Sequence, residues 1–347
     1  MSRAASTVTE GLKRVPPFPP VAAKLLTLLA KADVETSEVA QLIAGDATFT
    51  ARILQRINSV EFGLVTPVTN VQQAVSLLGL DLTRKLVLTH ATAAYAQGAL
   101  KAEELRRCWQ HTVATAVLAD LIAKACGEYV DYAFTAGIMH DIGRLGLLVA
   151  YPNEYEQIIR DAAARCLDLL DFERDEFGMD HAEAGRILAE RWGLPAGLAQ
   201  VAGRHHDPCE GTTLNLLSII HVACRLSDAL GYDVVKPRVP LEMDAVLAEL
   251  PGRGKVSLGK SPEQLRALIE LALAEYGSED GRIQPEEGLA LLAAATAEDS
   301  AESTVSPDPE AAPVPEAAKS GKNWTPTVIA IVLTAILAVG LLVVITR

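Results

Sequence analysis

Aromatic residues make up only 5% of the 347-residue chain, and the alternation of aromatic and β-branched residues that marks strands is missing. That shortage excludes a sheet-built domain. Basic residues are also short, 31 Lys and Arg against 44 Asp and Glu. The net charge is −13 with no basic cluster to grip phosphates, so no nucleic-acid partner is expected. The five cysteines, Cys108, Cys126, Cys166, Cys209 and Cys224, are widely spaced and form no CxxC pair. They fall mostly inside helical patterns, as small apolar residues of a reduced, cytosolic protein do. The opening MSRAASTVTEGLKRV has no apolar run, so no signal peptide is expected.

What the chain does have is apolar residues, half of the total, enough for one large or two modest units. Their spacing is helical. FPPVAAKLLTLLAKA sets Val21, Leu25, Leu28 and Leu29 on one stripe, and the next two segments repeat the pattern with Leu42 and Ile43, then Ile53, Leu54 and Ile57. Gly79 ends AVSLLG, and Asp81 is placed to cap LTRKLVLTHATAAYA. The expectation is an all-α fold of packed short helices, with no period that marks a solenoid. Residues 246–296 read as a helical extension, with one helix capped by Ser261 and a second in PEEGLALLAAATAE. Their apolar faces need the main domain or a second protomer.

The end of the chain changes character. Residues 297–323 are rich in Pro, Ala, Glu and Ser and read as an acidic, disordered tether. Residues 327–346, TVIAIVLTAILAVGLLVVIT, carry no charge and as a helix span ~30 Å, the thickness of a bilayer's hydrocarbon core. Trp324 and Pro326 stand at the entrance and Arg347 closes the chain, so 324–347 reads as a tail anchor. Lys319 and Lys322 before it keep the globular part cytoplasmic.

Six of the seven histidines lie between 111 and 221. The candidate ligands are His111, His140, Asp141, His181, His205, His206 and Asp228, each on or at the end of an expected helix, and facing helices can project such side chains into a shared interior. Adjacent side chains on a helix diverge by about 100°, so His140 and Asp141 converge only where a helix ends, and Gly143 is expected to supply that end. Imidazole and carboxylate without thiolate suit Fe, Mn or Zn. Seven ligands exceed one ion's needs, which points to a two-metal site able to clamp a phosphate. His221, ~10 Å along its helix from Asp228, is expected to pack beside the site, and His90 to be structural or exposed.

PPFPPVAAKLLTLL, VAQLIAGDATFTARILQRINSVEFG and VTNVQQAVSLLGLDLTRKLVL in the first half, and CWQHTVATAVLADLIA, FTAGIMHDIGRLGL, DHAEAGRILAERWGLP and AGRHHDP in the second, resemble the HDOD family of the HD superfamily over about residues 12–235. The resemblance implies a two-lobed helical domain over 12–245, with an N-terminal lobe of about 12–100 and an HD-like lobe of about 101–245. It also implies a signalling or regulatory role. The ligand series is similar to that of the HD-GYP phosphodiesterases, but the Gly-Tyr-Pro loop is missing and Arg107 stands where some members carry Glu. Arg144 stands where such enzymes often carry Lys. The leading expectation is a membrane-tethered HDOD module with a signalling-protein partner. The rival is a metal-dependent phosphohydrolase acting on a phosphate ester or nucleotide, with Asp141 bridging the ions and Arg144 meeting the phosphate. A metal-free scaffold is the third.

Overall fold

The computed structural model describes residues 5–29, 34–96, 103–165, 167–209, 211–237, 239–252 and 256–277. Among these, every regular element is a helix, as composition required. The first lobe contains α2 (Pro20–Leu29), α3 (Thr36–Ala44), α4 (Ala47–Ile57) and α5 (Val71–Ala96). Asp46 caps α4 by accepting from the amides of Thr48 and Phe49, and α4 buries Phe49, Ile53 and Ile57 at four-residue spacing. Gly79 breaks α5 with φ 78° and ψ 163°, a conformation only glycine enters cheaply. The expected stripe on α2 is rotated: Ala22, Leu25 and Leu26 are buried, whereas Val21 and Leu28 are half-buried. Asn58 clamps the turn after α4. Its amide donates to the carbonyls of Leu54 and Val68 and accepts from the Val68 amide at 2.7 Å.

The second lobe is built on α6 (Glu103–Cys126), α7 (Ala133–Met139), α8 (Ile142–Ala150), α9 (Pro152–Arg165), α10 (Leu169–Phe177), α11 (His181–Arg191), α12 (Ala196–Arg204) and α13 (Leu216–Ala229). α6 packs on α7 and α13, and α11 lies between α8 and α12. One apolar core runs from Leu25 and Ile43 in the first lobe through Val113, Ile138 and Ile220 in the second. A smaller core, with Leu12, Leu148, Tyr155, Phe177 and Leu188, lies under α9 and α10. It includes the N-terminal helix α1 (Ala5–Arg14), which crosses to α8 and α11.

After α14 (Met243–Leu247), α15 (Pro262–Gly277) seats on α5 and α6 with Leu265 and Ile269 fully buried, so the main domain is the partner its apolar face requires. Ser261 and Gln264 cap it reciprocally. Residues 133–150 have the length and hydropathy of a membrane span, but 89% of them are buried inside the fold. The second extension helix, the tether of 297–323 and the anchor of 324–347 lie outside the described residues.

Candidate metal centre

α7 ends at Met139 and α8 begins at Ile142, and the two residues between them make the turn that lets neighbouring side chains converge. His140 keeps helical angles, while Asp141 (φ −96°, ψ 21°) bends the backbone. Gly143 does not supply this end. It lies in the first turn of α8, where a Cβ would sit 1.9 Å from the His181 carbonyl oxygen and 2.2 Å from the Gly185 amide nitrogen. Its role is to bring the start of α11, and with it His181, against α8.

Asp141 stands at the centre. Its Oδ1 faces His181 Nε2 at 3.3 Å and His205 Nε2 at 3.4 Å, and its Oδ2 faces His140 Nε2 at 3.7 Å and His111 Nε2 at 3.9 Å. All five residues are at most 3% exposed, so no solvent competes at the centre. His206, at the solvent edge, extends the group with its Nε2 2.9 Å from that of His181. In each buried imidazole the other nitrogen is engaged. Nδ1 of His140 donates to the Gly137 carbonyl at 2.6 Å, that of His205 to Ala202 at 3.1 Å, that of His181 to Glu173 at 2.7 Å and that of His111 to Tyr232 at 3.0 Å. This fixes one tautomer for His140, His181 and His205 and turns their Nε2 lone pairs toward Asp141, while the His111 ring points its Nε2 the same way.

Asp141 Oδ1 and His205 Nε2 are buried without a hydrogen-bond partner. Facing lone pairs with no proton between them repel, and a cation removes the conflict. Ligand atoms about 2.1 Å from one ion lie roughly 3.4 Å from each other, the spacing seen on the Oδ1 side. The residues present therefore fit a divalent transition metal. Burial would raise the Asp141 carboxyl, but Arg144 beside it outweighs this and holds it well below the usual carboxylate range, so it is an anion. Burial holds His140 well below the usual imidazole value, and lowers His205 too. Both are neutral and able to ligate.

Arg144 sits against the central carboxylate. Its guanidinium is buried and turned inward, with Nε donating to Asp141 Oδ2 at 2.8 Å and Nη2 lying 3.1 Å from His181 Nε2. Asp228 reaches His111 at Nδ1, 3.3 Å away, on the side opposite the Nε2 cluster. His221, as expected, is outside the cluster and donates from Nδ1 to the His205 carbonyl. His90 packs edge-on to Phe49.

Two residues outside the expected ligand set border the centre. Glu173 is fully buried, accepts from both the amide and Nδ1 of His181, and also takes the Tyr155 hydroxyl proton bond. Its signal was readable, because it is a carboxylate on the buried stripe Leu169, Glu173, Phe177 of α10. Cys224 Sγ lies 3.4 Å from His111 Nε2, so sulfur borders a set expected to hold only nitrogen and oxygen. Burial raises this thiol against the opposing pull of His111. Cys224 precedes Asp228 by one helical turn, but only the tilt of α13 against α6 decides which of them meets Nε2.

The sequence profile of the HDOD domain matches residues 15–208, from before α2 to just after α12, and stops short of α13. The chain belongs to the HDOD family. An uncharacterised protein of Treponema pallidum is 25% identical over 210 residues, covering 59% of this chain and 40% of that one. Ribonuclease Y of Latilactobacillus sakei is 30% identical over 151 residues, 44% of this chain and 21% of the enzyme. The HDOD chain thus spans less than half the length of these relatives. Among solved structures, an HDOD domain protein of unknown function from Geobacter sulfurreducens superposes with TM-score 0.62 at 22% identity, covering 78% of this chain and 94% of that one. A protein assigned provisionally to signal transduction, from Marinobacter aquaeolei, gives 0.59 at 18% identity over 85% and 62%. One assigned provisionally to the phosphohydrolases, from Shewanella amazonensis, gives 0.54 at 23% over 81% and 95%. These likenesses establish the fold.

Proposed function

We propose that this protein is a membrane-tethered HDOD regulatory module in which a single divalent ion fixes the HD-like lobe. The observation that carries the reading is Arg144 on Asp141 Oδ2. Asp141, Glu173 and the Asp228 behind His111 bring three negative charges, and Arg144 and His111 return two positive, so one dication leaves the centre at +1 and two leave it at +3, a much costlier burial. Arg144 takes the place of a second cation. His181, His205 and His206 would hold the ion, with Asp141 beside His181 and His205, His111 and His140 completing the wall and Asp228 fixing His111 from behind. Iron, manganese or zinc suits these ligands. When bound, such an ion polarises a phosphoryl oxygen or activates water. A guanidinium turned away from solvent is poorly placed to meet a phosphate ester there.

The partner reading rests on the first lobe. Val60 and Val65, 76% and 100% exposed, flank the turn clamped by Asn58, where apolar side chains gain from being covered by another protein. Anchoring rests on the uncharged run 327–346, and the cytoplasmic placement on the lysines before it. The net charge of −13 argues against RNA or DNA as partner.

Metal analysis of the purified protein, paired with assays on phosphodiesters, cyclic dinucleotides and nucleotides, tests the function. One equivalent and no turnover is the expected result, and Arg144→Ala should let a second equivalent bind. Two equivalents in the wild type with hydrolysis would replace this reading with the metal-dependent phosphohydrolase, for which the solvent edge at His206 is the route of access.

A further inference from the structure

Between the two lobes, away from the metal centre, lies a cavity of about 150 Å³. Leu26 of α2, Leu198 of α12 and Leu216 of α13 give it an almost wholly carbon wall, and Tyr132, 41% exposed, stands at its mouth. Two residues break that wall. Arg84 of α5 is 6% exposed and Thr135 of α7 is 4% exposed, and the Nε of one and the Oγ1 of the other are buried without a partner. Native proteins seldom leave such donors unsatisfied, since each forfeits its hydrogen bonds to water on folding.

The surrounding charges say what kind of acceptor fits. Arg84 Nη2 bonds Asp81 at 2.6 Å, Lys85 reaches both Asp81 and Asp120 at 3.0 Å, and Lys124 holds Asp120 at 2.7 Å. Arg84 and Lys85 share the half-exposed Asp81, so the guanidinium is only partly compensated and keeps an unused donor. A cavity this size holds a molecule of about benzene's bulk. An apolar pocket with two convergent unused donors, one of them on a buried guanidinium, is the arrangement that binds a small molecule by its body and orients it by its head.

We propose that this cavity is a binding site for a small monocarboxylic acid with an apolar body, on the scale of benzoate or hexanoate. The carboxylate accepts from Arg84 Nε and Thr135 Oγ1, and the body lies against Leu26, Leu198 and Leu216. Occupancy acts on α7, α12 and α13, the helices that bring His140, His205 and Cys224 to the metal centre, although binding itself does not depend on a metal being present.

Gly197 supplies a clean test. It lines the cavity at an exposed edge, and a Cβ built on it meets nothing within 4 Å, so Gly197→Leu sets a bulky side chain at the opening without pressing on the backbone. Calorimetric titration of the full-length chain with benzoate, hexanoate and their neutral amides should show the acids binding at least tenfold more tightly than the amides. Thr135→Val should cut acid affinity by about fivefold or more and leave the amides unchanged. Gly197→Leu should abolish binding of both while thermal unfolding stays within a few degrees of wild type. Equal affinity for acid and amide, no binding at millimolar ligand, or undiminished binding by a folded Gly197→Leu protein would each overturn the proposal. If Gly197→Leu does not fold, the acid-to-amide ratio in wild type and Thr135→Val decides.

Discussion

At the residue scale, the centre is defined less by its seven ligand candidates than by the groups behind them. Glu173 fixes His181 through two hydrogen bonds, so Glu173→Gln should lower metal affinity 10- to 100-fold with little change in helicity, read by chelator competition and circular dichroism. Histidine ionisation gives a second test. His140 and His205 have folded-state values below the ordinary 6.5, so below that pH the unfolded chain takes up protons that the folded chain refuses. The stability that these two groups contribute to the metal-free protein should therefore be intact above pH 6.5 and fall progressively as pH drops below it. Each group contributes at most about 1.4 kcal/mol per pH unit. His111 acts in the opposite sense. Burial pushes it down, but Cys224 and Asp228 outweigh this and hold it well above 6.5, so its contribution is lost only as pH rises beyond 6.5. Denaturant titrations between pH 7.5 and 5 should show the acid loss, and His140→Gln should flatten it.

At the element scale, two glycines in different helices predict opposite outcomes for the same substitution. Gly143→Ala forces a methyl into the backbone of α11 and should destabilise by about 3 kcal/mol or more, with loss of bound metal because His181 moves. Gly197→Ala has open space and should be neutral or stabilise by about 0.5–1 kcal/mol. Thermal unfolding of the pair separates a packing requirement from a mere helix preference. If Gly143→Ala unfolds like wild type, the close approach of α8 and α11 is not what positions the site. The same scale explains the Asn58 turn, whose three side-chain hydrogen bonds hold the exposed Val65 region in one shape.

At the scale of the whole molecule, the described residues, from 5 to 277, form one unit that α1 and α15 complete from its two ends. Deleting residues 324–347 should therefore move the protein from the membrane to the soluble fraction with its unfolding transition and metal content unchanged. A truncated, folded protein that still sediments with membranes would remove the tail-anchor proposal. Val65→Glu should abolish complementation of a deletion strain while sparing metal binding. Loss of complementation through the metal-site double substitution His140→Ala and Asp141→Ala alone, accompanied by hydrolysis in the purified wild type, would favour the enzyme.

The amino-acid sequence by itself determined the all-helical class, because the 3.6-residue spacing of Ile53 and Ile57 or of Leu265 and Ile269 is a local property that packing only amplifies. It also determined that His111, His140, Asp141, His181 and His205 belong together, through their order in a chain that resembles a known family. The tertiary structure decided what each of them does. Whether Arg144 faces solvent or Asp141, whether Asp228 or Cys224 meets His111 Nε2, and whether Gly143 ends a helix or admits a neighbour all depend on the approach of α8 to α11 and the tilt of α13 on α6. Those geometries arise from contacts between residues dozens of positions apart. A periodicity shows which face of a helix is buried, but the depth and angle at which two helices meet are set by side chains on both of them together.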